Sequence, residues 1–278
     1  MSLIPNLEKR FILSVTENSN IRFSYSKTTA RPSFKEASIA QIFDPLSNIT
    51  YIGNIDLKPT YIDNLDLRFE NFGENNQMFA VSAFYKNFKD PIELSYFESA
   101  RENFQPRNLG NATVYGAEIE ARKNISDYFS INVNASIIES KQKYGEAENT
   151  LRTLGLRSGE TLSGSRQLQG QSPYLINASI DYKDDRTRAG LYFNMQGKTL
   201  EVVGNGISPD IYTYPFESLN FTFSKSFGKE SKKSINIKAE NLLNSKKESY
   251  AESYNALNRL YSYRDQGLKF SIGYSINL

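Results

Sequence analysis

The chain has 278 residues, 33 of them basic and 31 acidic, a formal charge of +2, and neither cysteine nor histidine. Disulfides, thiolate metal sites, Ser-His and Cys-His nucleophile pairs and histidine zinc sites are therefore excluded, and the interspersed charge offers no field for nucleic acid. Hydrophobic residues make up 39%, mean hydropathy is −0.52, and no apolar run approaches the ~18 residues of a helical membrane span.

A two-residue alternation of apolar and polar side chains, the mark of a strand with one oily and one wet face, recurs from end to end. It starts at Phe11, Leu13 and Val15, after an opening MSLIPNLEKRF that shows no secretory signal. Ile21, Phe23 and Tyr25 then alternate with Arg22, Ser24 and Ser26, and Leu65, Leu67 and Phe69 with Asp66, Arg68 and Glu70. Phe79, Val81, Ala83 and Tyr85 follow. Tyr115, Ala117, Ile119 and Ala121 oppose Gly116, Glu118 and Glu120. In YFSINVNASII the odd positions Phe129 to Ile137 are apolar and the even positions Ser130 to Ser136 polar. Tyr174 to Tyr182, Leu191 to Met195, Leu219 to Phe223, Ile235 to Ala239 and Leu268 to Leu278 continue the pattern, giving about eleven strands.

The connections alternate too. Short ones fall at 17–19, 72–76, 124–127, 183–187 and 228–233, and long ones near 30–59, 89–112, 140–172, 200–214 and 243–265. Five connections of roughly 15 to 30 residues argue against a compact soluble domain, where the median is about 4–6. In an outer-membrane barrel they are the rule: short periplasmic turns at one rim, long extracellular loops at the other. A soluble sandwich would alternate equally well but would not sort its loops in strict turn. The pattern therefore predicts an all-β, antiparallel transmembrane β-barrel segment, with lipid on the oily face and a wet lumen on the other. Arg68, Glu70, Glu118, Glu120, Lys238 and Glu240 fall on the lumen side. Aromatics near strand ends, among them Phe69, Phe72, Tyr128, Phe129, Tyr182 and Phe227, suit an interfacial girdle. Eleven antiparallel strands cannot close, because the first and last run parallel; the expectation is part of a larger barrel.

Several stretches resemble TonB-dependent outer-membrane receptors of the Bacteroidetes type. They are YSKTTARPSF (Tyr25 to Phe34), GNIDLKP (Gly53 to Pro59), FYKNFKDPI (Phe84 to Ile92), NLGNATVYGAEIE (Asn108 to Glu120), LQGQSPYLINASIDY (Leu168 to Tyr182) and NLLN (Asn241 to Asn244). The closing SIGYSINL is similar to the terminal pattern read by the barrel-assembly machinery through Gly273, Ile276 and Leu278, although Leu278 stands where that family usually has an aromatic residue. The resemblance implies that residues 1–278 are the C-terminal half of a 22-stranded barrel, without its plug domain and N-terminal strands. It implies a Gram-negative outer-membrane location and uptake of a large scarce nutrient (siderophore, glycan or peptide) with TonB-coupled energy. Implied partners are outer-membrane lipid, the plug and the rest of the barrel, the TonB complex through the plug, and a surface lipoprotein. No cofactor, metal, nucleic acid or enzymatic activity is implied.

Candidates for touching cargo or plug are polar residues in or beside long loops: Arg31, Asn54, Asp56, Arg107 and Arg166. Each also has a plain structural reading as a solvated or rim-anchoring side chain. The competing functions are a barrel lipase or protease, which the lack of histidine opposes, a passive porin, and a soluble β-rich surface binding module or adhesin. By itself this stretch is not expected to support ligand-dependent uptake.

Overall fold

A computed structural model describes residues 7–45, 49–97, 100–228 and 232–276. The strands are β1 (Leu7–Thr16), β2 (Ser19–Ala30), β3 (Gln41–Asp44), β4 (Ile49–Ile52), β5 (Thr60–Phe72), β6 (Met78–Lys89), β7 (Ile92–Phe97), β8 (Ala100–Asn108), β9 (Asn111–Asn124) and β10 (Phe129–Lys143). After the helix α1 (Glu146–Leu154) come β11 (Ser165–Arg166), β12 (Tyr174–Lys183), β13 (Thr187–Gln196), β14 (Thr199–Val202), β15 (Asp210–Thr213), β16 (Phe216–Phe227), β17 (Lys233–Glu240), β18 (Lys246–Glu252), β19 (Arg259–Asp265) and β20 (Lys269–Ile276).

Eleven of these form one antiparallel wall in the order β1-β2-β5-β6-β9-β10-β12-β13-β16-β17-β20, with β11 added beside the end of β10. Every alternating segment of the sequence is one of these eleven strands. Neighbours in the wall are neighbours in sequence once the long connections are set aside, so each pair is a hairpin. β1 and β20 lie at the two ends, unpaired along their outer edges among the described residues, and eleven antiparallel strands make them run the same way.

The wall is inverted relative to a soluble protein. Phe11, Leu13, Leu67, Phe79, Ile119 and Ile137 are all exposed, the last to 75%, while Glu70 on the other face is 3% exposed. The register explains the sorting: Leu13 faces Ile21, Ile21 faces Phe69, Phe69 faces Val81 and Val81 faces Ile119, so one continuous apolar row crosses five strands. At the short-turn rim, Phe129 and Tyr182 (5.0 Å), Tyr128 and Tyr182 (6.1 Å), and Phe227 and Tyr274 (6.1 Å) pair across strands, the aromatic edge expected at these positions.

The long connections are folded. Among the described residues β3-β4-β8-β7 form one four-stranded sheet, with β4 and β8 parallel, and β14-β15-β18-β19 form another. The two sheets meet where Tyr96 N–H donates to Val203 O (3.2 Å) and Val203 N–H to Leu94 O (3.0 Å). Tyr96, Phe104, Val202 and Ile211 make a buried core between them. This cap sits at the long-loop end of the wall.

Two stretches singled out in the sequence turn out to be packed on each other. In RPSFKE, Ser33 N–H and Oγ both donate to Glu36 Oε2 (2.7 and 2.8 Å), and the turn so fixed receives GNIDLKP through Asn54 N–H to Glu36 O (2.7 Å). A Cβ at Gly53 would lie 2.4 Å from Ser38 O, so only glycine permits that approach. Asp90, at φ 55°, ends β6, and its carbonyl accepts from Asn108 Nδ2 (2.7 Å) and Thr60 Oγ1 (2.9 Å). In NLLN, Asn241 is buried with φ 55°; its Nδ2 donates to Ser245 O and Gly267 O (both 3.1 Å), tying the exit of β17 to the entry of β20.

Candidate functional site

Two polar assemblies stand out, one on the wall and one in the cap. On the wall, Arg22 of β2, Arg68 and Glu70 of β5, and Glu118, Glu120 and Arg122 of β9 turn to the same face, where cross-strand neighbours at strand spacing can pair. Arg22 Nε meets Glu70 Oε1 at 2.5 Å, Arg68 Nε meets Glu70 Oε2 at 3.3 Å, and Arg68 Nη2 meets Glu120 Oε2 at 2.9 Å. Arg68 also donates to Ser82 (3.2 Å) on the intervening β6. Farther along, charge gives way to amides and hydroxyls. Arg122 donates to Asn132 (3.1 Å), Asn132 to Ser179 and Asp181 (both 3.1 Å), and Tyr192 to Asp181 (2.8 Å). A groove of about 220 Å³ lies there, lined in part by Asn134, Asn177 and Asn194. Wall carboxylates thus find partners within the wall.

The cap holds a denser cluster. Arg166 on β11 is nine-tenths buried and forms a two-pronged pair with Glu93 of β7, Nη1 and Nη2 each 2.8 Å from an oxygen. Its Nε donates to Glu148 of α1 (2.7 Å), which also accepts from Arg152 one helical turn on (2.9 Å). Arg152 in turn grips Asp210 of β15 through Nη1 and Nη2 (3.2 and 2.8 Å). Five charged groups from three connections therefore converge. α1 presents them correctly because Glu148 and Arg152 stand at i and i+4, with acid in its first turn and base in its last. Burial works against both arginine charges, but the facing carboxylates outweigh it and both pKa values are raised. Burial, and then Asp210, pushes the Tyr96 phenol up to about 12, and Tyr212 is raised for the same reasons.

Beside this cluster lies a cavity of about 360 Å³ among α1, the 204–210 turn and the end of β18, lined by Arg152, Arg157, Glu160, Ser208, Glu252 and Tyr254 among others. Arg157 Nη1 donates to Tyr254 O (3.0 Å), and Tyr254 Oη to Gly159 O (3.0 Å), so a fourth connection, between β17 and β20, is tied to the β10–β12 connection at its rim. The lining can offer both cationic and anionic hydrogen-bond partners to a polar solute.

Of the loop candidates, Arg166 lies inside the buried cluster and Arg31 and Asp56 are exposed. Asn54 and Arg107 are brought to one place on β8: Asn54 Nδ2 donates to Pro106 O (3.0 Å), and Arg107 Nε to Gln105 Oε1 (3.1 Å). Lys238 and Glu240 lie on β17, Lys238 opposite Ser271 and Glu240 opposite Lys269. Glu118 accepts from Ser136 (3.5 Å). Gly273 and Ile276 lie on β20, and Leu278 lies outside the described residues. Lys198 stands just past β13, where it pairs with Glu252 (2.6 Å) and lies over Tyr212. Glu93, Glu148, Arg152 and Asp210 were not singled out by the sequence; an i, i+4 Glu-Arg pair was the one local signal available for them.

Residues 9–242 match the family model described as TonB dependent receptor-like, beta-barrel. This chain belongs to that family. As a TonB-dependent receptor barrel segment it resides in the Gram-negative outer membrane, its short turns periplasmic and its long connections extracellular. No curated protein matches it by sequence. Among solved structures it is similar to a variant of the ferric enterobactin receptor PfeA of Pseudomonas aeruginosa, with 13% identity and a TM-score of 0.61 over 98% of this chain and 40% of that one. It is similar also to the ferric-catecholate import receptor Fiu of E. coli, with 14% identity and a TM-score of 0.62 over 98% and 34%. The copper transporter OprC gives 14% identity and a TM-score of 0.65 over 96% and 38%. The chain thus spans about 40% or less of the length of these structures, and at such identities the likeness concerns the fold.

Proposed function

We propose that this chain forms the C-terminal wall and part of the extracellular cap of an outer-membrane receptor that imports a large, scarce nutrient. The observation that carries the reading is the inverted wall: a continuous apolar outer face backed by a polar face with Glu70 buried between Arg22 and Arg68. On this reading the polar face lines the lumen of a 22-stranded barrel. Arg68, Glu70, Glu118, Glu120, Lys238 and Glu240 then border a plug domain, and a TonB-type periplasmic partner supplies energy through that plug. The cap cavity at Arg152, Arg157 and Glu252 is the site of first contact, and its mixed charge suits a polar cargo such as an iron chelate, a glycan or a peptide. No step of this function is chemical, so the protein is not an enzyme.

Uptake of labelled iron chelates, oligosaccharides and peptides by cells with and without the gene tests this. Uptake of one class should vanish with the gene and again when the inner-membrane proton gradient is dissipated. Uptake that survives loss of the gradient would make the barrel a passive porin. A protein that stays monodisperse without detergent would instead be a soluble binding module.

A further inference from the structure

The inner face of the wall is sorted by chemistry along a single row of register. Glu70 on β5 lies opposite Ala80 on β6, Ala80 opposite Glu120 on β9, and Glu120 opposite Asn134 on β10. From there the row is uncharged: Asn134 faces Asn177 on β12, Asn177 faces Asn194 on β13, and Asn194 faces Ser218 on β16. At strand spacing these four positions span about 14 Å. Asn134, Asn177 and Asn194 are exposed, and none of their amides is hydrogen-bonded among the described residues. The row two steps nearer the periplasm is instead bonded within itself, Asn132 donating to Ser179 and Asp181, and Tyr192 to Asp181. The groove of about 220 Å³ opens along the free amides.

The sorting extends along the strands. Inward positions of β2, β5 and β9 carry Arg22, Arg68, Glu70, Glu118, Glu120 and Arg122, and those of β17 carry Lys238 and Glu240. On β10, β12, β13 and β16 the inward charges are Asp181, Lys183 and Arg188, all at the periplasmic end. An uncharged sector therefore runs from mid-wall to the extracellular end between two charged flanks. A wet lumen needs polar side chains but not their segregation. Hydrogen bonds to an ionised partner are roughly twice as strong as neutral ones, which suits a surface that holds a domain in place. A surface past which a solute moves needs contacts that are weak, repeated and interchangeable. Free amides, each both donor and acceptor, supply them.

We infer that the plug grips the charged flanks and stands away from β10, β12, β13 and β16, and that the row Asn134, Asn177 and Asn194 borders the track along which cargo passes. The inference rests on import past a plug, and it puts the passage on one side of the lumen.

This chain has no cysteine, so an introduced thiol is unique within it. In the full-length receptor, with any cysteine elsewhere replaced by serine, Ser218→Cys at the end of the row is compared with Ser24→Cys and Ser82→Cys on the charged flank. The exchanges are nearly isosteric and all three serines are half-buried in the wall itself, so a difference in reactivity reports the plug. Ser218→Cys should react with a hydrophilic maleimide at least about tenfold faster than either of the others. That order runs against intrinsic reactivity, because Arg68 beside Ser82 favours a thiolate there. Equally slow reaction at all three, or faster reaction on the flank, overturns the track. Equally fast reaction overturns the track and the plug together. Asn194→Cys carrying a polyethylene-glycol maleimide should then lower energised uptake of the labelled chelate, oligosaccharide or peptide at least about tenfold, with surface binding of the same probe changed less than about twofold. Undiminished uptake overturns the track and leaves import standing, whereas no uptake of any probe by the unmodified receptor overturns import and the track with it.

Discussion

The wall and the cap solve opposite problems with one chain. Of the buried hydrophobic residues described, the wall contributes Ala80, Ala112, Val114 and Ala239; the large ones, Tyr96, Phe104, Leu168, Leu200, Val202, Val203 and Ile211, belong to the cap or its junction with the wall. Most of the wall's apolar side chains point at lipid and its polar ones pair on the inner face; a buried apolar cluster forms where that face meets the cap, Ala112, Val114 and Leu168 against Phe84, Phe88 and Ile138. The cap stands in water and so buries its apolar side chains in the usual sense, then adds a buried ion cluster to fix how its sheets and helix meet. Solvent, not sequence composition, decides which way the same alternation is read.

The contrast can be broken first at Arg166. Replacing it with alanine leaves Glu93 and Glu148 buried without their cation, at a cost of about 3–5 kcal/mol. The cost should fall on the cap: protease cleavage at the extracellular connections should rise steeply while the wall keeps its heat-modifiable migration in gels. Equal cleavage in variant and parent would refute the cluster's role. Next is an arginine at Val81, in the middle of the apolar row. It should destabilise the protein in a bilayer by about 2–4 kcal/mol, read by urea titration in vesicles. The same substitution at exposed Leu154 on α1 should change stability by less than about 0.5 kcal/mol. A smaller effect is expected at Gly206, whose φ is +84° and whose added Cβ would lie 2.3 Å from Leu151 O. Gly206→Ala should cost about 1–3 kcal/mol and loosen α1 in hydrogen exchange. Gly164→Ala, with similar φ but open space around it, should cost less.

The mildest test is alkaline. Tyr96 has a folded pKa of about 12 against an ordinary 10.0, so the folded cap holds its proton where the unfolded chain releases it. Stability from this group is full below pH 10 and falls as pH rises from 10 to 12. Tyrosinate absorbance should therefore appear late and together with loss of the cap, ahead of any change in the wall.

All eleven wall strands were legible because each alternates for several steps and pairs with a sequence neighbour, as YFSINVNASII does with the strands either side. The cap was not. TLEV and DIYT are four-residue strands whose partners come from other connections, and a four-residue segment carries too few steps to show a period. α1 hid because Gly145 precedes it with no side-chain cap to announce its start. The sequence offered Arg166 as a polar loop residue open to cargo or solvent; its burial depends on Glu93, 73 positions away, and Glu148, 18 away, a convergence no local pattern encodes. Conversely, the conformational demands on Gly53 and Asn241 explain why GNIDLKP and NLLN read as motifs at all.

The five-charge cluster has a consequence for how such a surface can change. Its members are contributed by the β6–β9, β10–β12 and β13–β16 connections, so none of these loops is an interchangeable part. A graft that imports one loop from a relative brings a lone carboxylate or guanidinium into a site built for its counterparts. Recombination or design that alters cargo choice here must exchange the three together, or confine itself to the exposed tips beyond Arg157 and Leu257.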